Sequence, residues 1–119
     1  MSETMKQITS TILEAAQRHA RAEYPREACG LVVGDSYRPC RNEAADPMQD
    51  FEIATQVYLD AEATGDLPAV VHSHPDGPHA PSEVDCRAQA ASGLPWVILP
   101  LDAECMFQPI TFDSHEATP

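Results

Sequence analysis

Positive charge is scarce in this chain of 119 residues: one lysine and six arginines stand against 19 carboxylates, for a formal net charge of −12. Such a surface repels phosphate backbones and anionic lipid, which argues against charge-driven binding of nucleic acid or of a membrane. Close cysteine pairs are also lacking. Cys29, Cys40, Cys86 and Cys105 form no C-x-x-C, so a thiolate zinc ribbon is excluded. The N-terminus is polar and has no secretory pattern, so the four thiols are expected reduced, mostly buried as small apolar residues, in a cytoplasmic protein. No apolar run approaches the length of a membrane span, and there is no internal repeat or low-complexity tract. A chain of this length with 43% hydrophobic residues fits one domain with a modest core.

The richest stretch runs from Val70 to Asp85 and reads VVHSHPDGPHAPSEVD. Val70-Val71 reads as the end of a buried strand. Residues two apart on a strand share a face, so His72 and His74 would present both rings to one side. Pro75 stops further pairing, and Gly77, Pro78 and Pro81 make a short, stiff return. Ser82 is placed as a helix N-cap with Asp85 in the first turn. Two imidazoles and a carboxylate could then converge on one ion. Three protein ligands leave a fourth position of a tetrahedral zinc open, which is the catalytic pattern. S-x-x-D is also a variant capping box that needs no metal. The combination H-x-H-x7-S-x2-D, leaving a strand and entering a helix, favours the metal site. His79, in the intervening loop, is an extra candidate ligand that this pattern does not require. Cys86 adjoins Asp85, but helical neighbours point about 100° apart, so it is not read as a nucleophile.

The remainder of the chain reads as alternating helices and strands. Met5, Ile8, Ile12, Ala15, Ala16 and His19 recur at helical spacing, predicting a helix over Glu3 to Ala22 that ends at Tyr24-Pro25. His19 on this stripe is expected as a packed or edge histidine. Leu31-Val32-Val33 predicts a central strand, Gly34 to Ser36 a turn, and Tyr37 to Asn42 a return strand that Pro39 confines to an edge or bulge. Phe51-Glu52-Ile53 predicts a short strand, and Thr55 to Ala63 a helix capped by Thr55. Leu67 to Val71 leads into the histidines. A helix over Ser82 to Ser92 would carry Val84, Ala88 and Ala91 on one side and end at Gly93. Pro95 to Leu101 and Cys105 to Phe112 predict two strands joined at Asp102-Ala103. Residues 113–119 read as a polar tail or linker after a domain over residues 1–112. The order gives an α/β fold, a mixed sheet with flanking helices. Glu27, just before the central strand, reads on its own as a solvated residue of a connection.

The residues His72, His74, Ser82 and Asp85 match without a gap the H-x-H-x7-S-x2-D signature of the JAMM (JAB1/MPN/Mov34) metalloprotease domains, which the chain resembles. The segments YPREACGLVVG, YRPCRN, VVHSHPDGP and PSEVDCRAQAASGLPW are similar to the JAMM domains at the N-terminus of lambda-type phage tail assembly proteins. The likeness spans about Glu14 to Pro100. It implies a compact JAB1/MPN sandwich related in layout to the cytidine deaminases, although the deaminase motifs H-x-E and P-C-x-x-C are absent here. It also implies that Glu27, in YPREACGLVVG, is the family's upstream glutamate.

What the resemblance implies is hydrolysis of an amide or isopeptide bond by a water activated on one Zn2+ per chain, held by His72, His74 and Asp85; iron or cobalt would also suit such ligands. Glu27 would act as general base and then acid, and Ser82 would donate to the oxyanion. The implied setting is phage or prophage tail assembly in a bacterial host cell, or the virion tail itself. Partners would be a protein or peptide substrate, a ubiquitin-like tail assembly protein being one, and other phage tail proteins. The short loop leaves no room for the insertions that grip ubiquitin chains. Related full-length proteins carry a second, NlpC/P60-type domain, so this chain would correspond to their first part. The rival is a non-catalytic zinc-binding structural module of a tail tip, for which Glu27 and Ser82 would have no use. A second rival is a metal-free fold in which Ser82 and Asp85 only cap a helix.

Overall fold

The computed structural model of the chain describes residues 8–113. Helix α1 (Ser10–Glu23) precedes the hairpin β1 (Cys29–Val33) and β2 (Ser36–Cys40). Helix α2 (Thr55–Glu62) follows, then β3 (Ala69–Pro75), α3 (Glu83–Ser92), β4 (Trp96–Leu101) and β5 (Ile110–Phe112). The five strands form one mixed sheet in the order β2-β1-β3-β4-β5, and only β3 and β4 run parallel. The expected α/β architecture with flanking helices is therefore present. Pro39 lies in β2, an edge strand, where its missing N–H interrupts no inner ladder.

The alternation along β1, β3 and β4 divides the core in two. Val32, Ala69, Val71, Val97 and Leu99 face one side and are covered by Ile12, Ala16 and Ala20 of α1. Burial of these apolar groups, at roughly 25 cal/mol per Å², is what holds α1 to the sheet. Tyr37 of β2 adds a polar tie, with its hydroxyl 2.6 Å from Nδ1 of His19, the packed histidine expected on the stripe. The Tyr37 ring lies so close over β1 that a Cβ at Gly30 would collide with it. On the opposite side, Cys29, Leu31, Val70 and Trp96 pack with Ile53, Ala61 of α2, and Phe51.

Several expectations change. The first helix begins at Ser10, capped by Thr9, whose Oγ1 accepts from the Ile12 N–H at 3.2 Å. Ile8 and Thr9 are not helical, and the part of the expected helix before residue 8 lies outside the described residues, as do residues 114–119. Phe51-Glu52-Ile53 is not a strand: the side chain of Asn42 accepts from the Glu52 N–H and donates to the Asp50 carbonyl, occupying groups a ladder would need. Thr55 opens α2 but does not cap it; Ala54 is the N-cap. β3 runs on through both histidines to Pro75 because β4 pairs with it over that whole length. The last expected strand is broken, with Leu101 bridging to Met106 and only Ile110–Phe112 rejoining β4, because Asp102 turns the chain by accepting from the N–H groups of Glu104 and Cys105. Of the four cysteines only Cys29 is buried; Cys86 and Cys105 are exposed, since each sits on a solvent-facing helix side or turn.

Candidate metal centre

β3 places His72 and His74 on one face of the sheet, two residues apart as the pleat requires. Its register sets His72 between Cys29 of β1 and Ile98 of β4, so the first imidazole is enclosed by apolar neighbours. The loop after Pro75 returns to Ser82, the N-cap of α3. Here the capping box forms in full: Ser82 Oγ accepts from the Asp85 N–H at 3.0 Å, and the Ser82 N–H donates to Asp85 Oδ2 at 2.9 Å. That geometry turns the Asp85 carboxylate back onto β3. Its Oδ2 lies 2.9 Å from Nε2 of His74 and its Oδ1 lies 3.2 Å from Nε2 of His72. The capping and metal-ligand readings of S-x-x-D therefore coexist in one residue pair.

One ligand atom from each of His72, His74 and Asp85 lies within 4.8 Å of the others, and all three residues are buried. The ring nitrogens of His72 are buried without a hydrogen-bond partner among the described residues. Its Nε2 lies 3.2 Å from Asp85 Oδ1, and its Nδ1 has no such neighbour among the described residues. An orphaned buried nitrogen is costly unless something binds it, and a divalent cation fits this donor set. Burial lowers the pKa of His72, outweighing Asp85, and so favours the neutral imidazole a metal requires. For His74 burial is outweighed by contacts with Asp85 and the Pro78 carbonyl, and the pKa is raised. Burial would raise Asp85, yet close contact with the two histidines and the Ser82 N–H holds it well below the usual carboxylate range. It is thus an anion beside two imidazoles.

A cavity of about 700 Å³ opens beside these groups and is lined by Glu27, His74, Ser82 and Asp85, with Phe51 and Trp96 among its apolar members. Glu27 comes from the connection before β1, where its N–H donates to the Pro47 carbonyl at 2.7 Å. It is buried, and burial pushes its pKa up to about 8, with His74 opposing and Asp85 and Asp50 adding to the rise. The expectation of a solvated residue, drawn from the isolated position, is thus replaced by a buried acid at the cavity. His79 is not in the cluster; its ring packs at 4.4 Å against Phe107.

Helix α3 carries its apolar residues on one side, as expected, and that side faces the cavity. Asp85 and Gln89 are its buried residues, whereas Val84 is 60% exposed and, with Ala88 and Ala91, borders the cavity. Sequence reading missed Phe51, Trp96 and Asn42 around the site. Asn42, inside the segment YRPCRN, and Trp96, at the end of PSEVDCRAQAASGLPW, stood in stretches already marked by resemblance; Phe51 did not.

A domain described as prokaryotic homologs of the JAB domain matches residues 9–110, and the chain belongs to that family. Tail tip assembly protein K of Escherichia phage N15 is 45% identical over 73% of this chain, and the match spans 37% of that protein. The chain thus corresponds to little more than a third of this relative. A desampylase from Haloferax volcanii is 32% identical over 74% of this chain and 72% of its own length. Among solved structures, a Desulfitobacterium hafniense protein shares the fold with a TM-score of 0.65 and 30% identity, covering 87% of this chain and 78% of that one.

Proposed function

We propose that this chain is a zinc-dependent metallopeptidase or isopeptidase acting in phage or prophage tail assembly, with one Zn2+ per chain on His72, His74 and Asp85. The observation that carries the reading is the convergence of those three side chains, one with an orphaned buried nitrogen, at a cavity that Glu27 lines together with His74 and Asp85. Kinship with a desampylase and with tail tip assembly protein K supports a hydrolase among tail proteins. The substrate would be a protein or peptide, a ubiquitin-like tail assembly protein being one, met in the host cytoplasm or at the tail.

When bound, zinc supplies Lewis acidity and brings the pKa of a water molecule to about 7. The side chains do the rest. The Glu27 carboxyl accepts a proton from the attacking water and hands it to the leaving amine. Its enclosed position favours holding that proton near neutral pH, and a cation beside it shifts the balance back towards carboxylate. Ser82 Oγ spends its lone pair on the Asp85 N–H, which leaves its own proton to donate to the oxyanion. Such a donor is typically worth about 3 kcal/mol in the transition state.

The test is elemental analysis of protein purified without chelator or nickel, followed by cleavage assays on tail proteins. The expected result is about one zinc per chain, lost in His74→Ala, and cleavage lost in Glu27→Ala with zinc retained. Zinc without any cleavage would leave the structural tail-tip module. Absence of zinc in the native chain, even when offered at neutral pH, would leave only a capped helix.

A further inference from the structure

The two candidate histidine ligands are held by different devices. His74 has Nδ1 3.0 Å from the Pro78 carbonyl oxygen, which fixes its ring and leaves Nε2 facing Asp85. Such a hydrogen bond from the second nitrogen accompanies nearly every metal-ligating histidine. His72 has none: its Nδ1 has no partner among the described residues. Instead its ring is packed between aromatic neighbours. Phe51 stacks on it at 4.4 Å with the planes 21° apart, and Trp96 meets it edge-on at 5.4 Å.

Phe51 lies in irregular backbone, so no helix or ladder sets its position. Asn42 does. Its Oδ1 accepts from the N–H groups of Glu52 (3.1 Å) and Ala44 (2.9 Å), and its Nδ2 donates to the carbonyls of Asp50 and Glu27, both at 2.9 Å. All four hydrogen-bonding positions of the amide are used. Two of the partners flank Phe51 directly, and a third is the backbone of Glu27.

We infer that Asn42 is a positioning residue for the metal centre, which through one side-chain amide seats the Phe51 ring that orients His72 and fixes the backbone that carries Glu27. The inference rests on the reading that His72, His74 and Asp85 hold a metal. An aspartate at this position would keep the shape but turn an acceptor towards two carbonyls, and a leucine at position 51 would keep apolar bulk without a flat ring.

The experiment uses the full chain and measures zinc affinity by chelator competition, the visible spectrum of the cobalt form, and the melting temperature without metal. Asn42→Asp and Phe51→Leu are expected to weaken zinc binding about 10–100-fold, the range for lost ligand-orienting partners, and to change the cobalt bands. Phe51→Tyr, which keeps the ring, stays near the native affinity. Unchanged affinity and spectrum in Phe51→Leu, with only the melting temperature lowered, would overturn the inference. If Asn42→Asp does not fold, Phe51→Leu decides. A native chain that binds zinc but cleaves nothing defeats the peptidase reading and leaves these measurements intact, whereas a native chain without zinc affinity overturns both.

Discussion

The two faces of the sheet share strands and differ in what covers them. On one, α1 lays Ile12, Ala16 and Ala20 over Val32, Val71 and Leu99, and the result is a closed, continuous core. On the other, α2 and an irregular loop cover only part of the surface, and a cavity remains, lined by His74, Asp85 and Glu27, with His72 fully buried against Asp85. The contrast reaches into the helices. α1 buries its apolar stripe, while α3 buries Asp85 and Gln89 and leaves Val84 exposed. One face is built for cohesion, and the other gives up cohesion for a cluster of buried polar groups that could hold a metal ion.

The sharpest way to separate the faces is to cut each at its centre. Ile12→Ala removes a side chain that is 2% exposed on the closed face. It should cost about 2–5 kcal/mol in denaturant unfolding and leave zinc affinity of the folded protein unchanged. Equal losses of stability and zinc affinity would show that the faces are not separable.

Glu27→Gln should do the reverse in metal-free protein. The pKa of Glu27 is raised from 4.5 to about 8 in the fold. Between these values the unfolded chain ionises while the folded one holds its proton, so the cost of burying the group grows as pH rises. The wild type should therefore lose stability relative to Glu27→Gln from about pH 4.5 towards pH 8, as read by urea titrations across that window. Parallel curves would place the carboxyl in water. Saturating zinc should flatten the difference.

Ser82→Ala should lower stability by about 1 kcal/mol, the usual worth of an N-cap, because its hydroxyl accepts from the Asp85 N–H. Thermal unfolding of metal-free protein measures this. No change would mean that water replaces the cap without loss. The smallest effect belongs to Val84→Ser. At 60% exposure this residue packs on no core, and stability should stay within about 0.5 kcal/mol. A larger loss would show that α3 has a closed apolar face after all.

The candidate metal site was legible because its parts are local. His72 and His74 share a face by strand alternation, and the Ser82–Asp85 capping box is a one-turn device, so spacing alone specified both. The central strand, the edge position of Pro39 and the apolar stripe of α1 follow from the same short-range rules. What depended on distant partners was not legible. Residues 51–53 look like a strand until the side chain of Asn42 takes their backbone groups. Spacing puts Val84, Ala88 and Ala91 on one side of α3 without saying what that side meets; the contacts of Asp85 with β3 turn the helix so that this side borders the cavity. Glu27 looks solvated until the loop through Pro47 closes over it. Periodicity and capping act within a turn or a strand and are written in neighbouring residues. The stacking of Phe51 on His72, the burial of Glu27 and the placing of Asn42 beneath both depend on contacts between segments far apart in the chain, and only the folded structure brings those together.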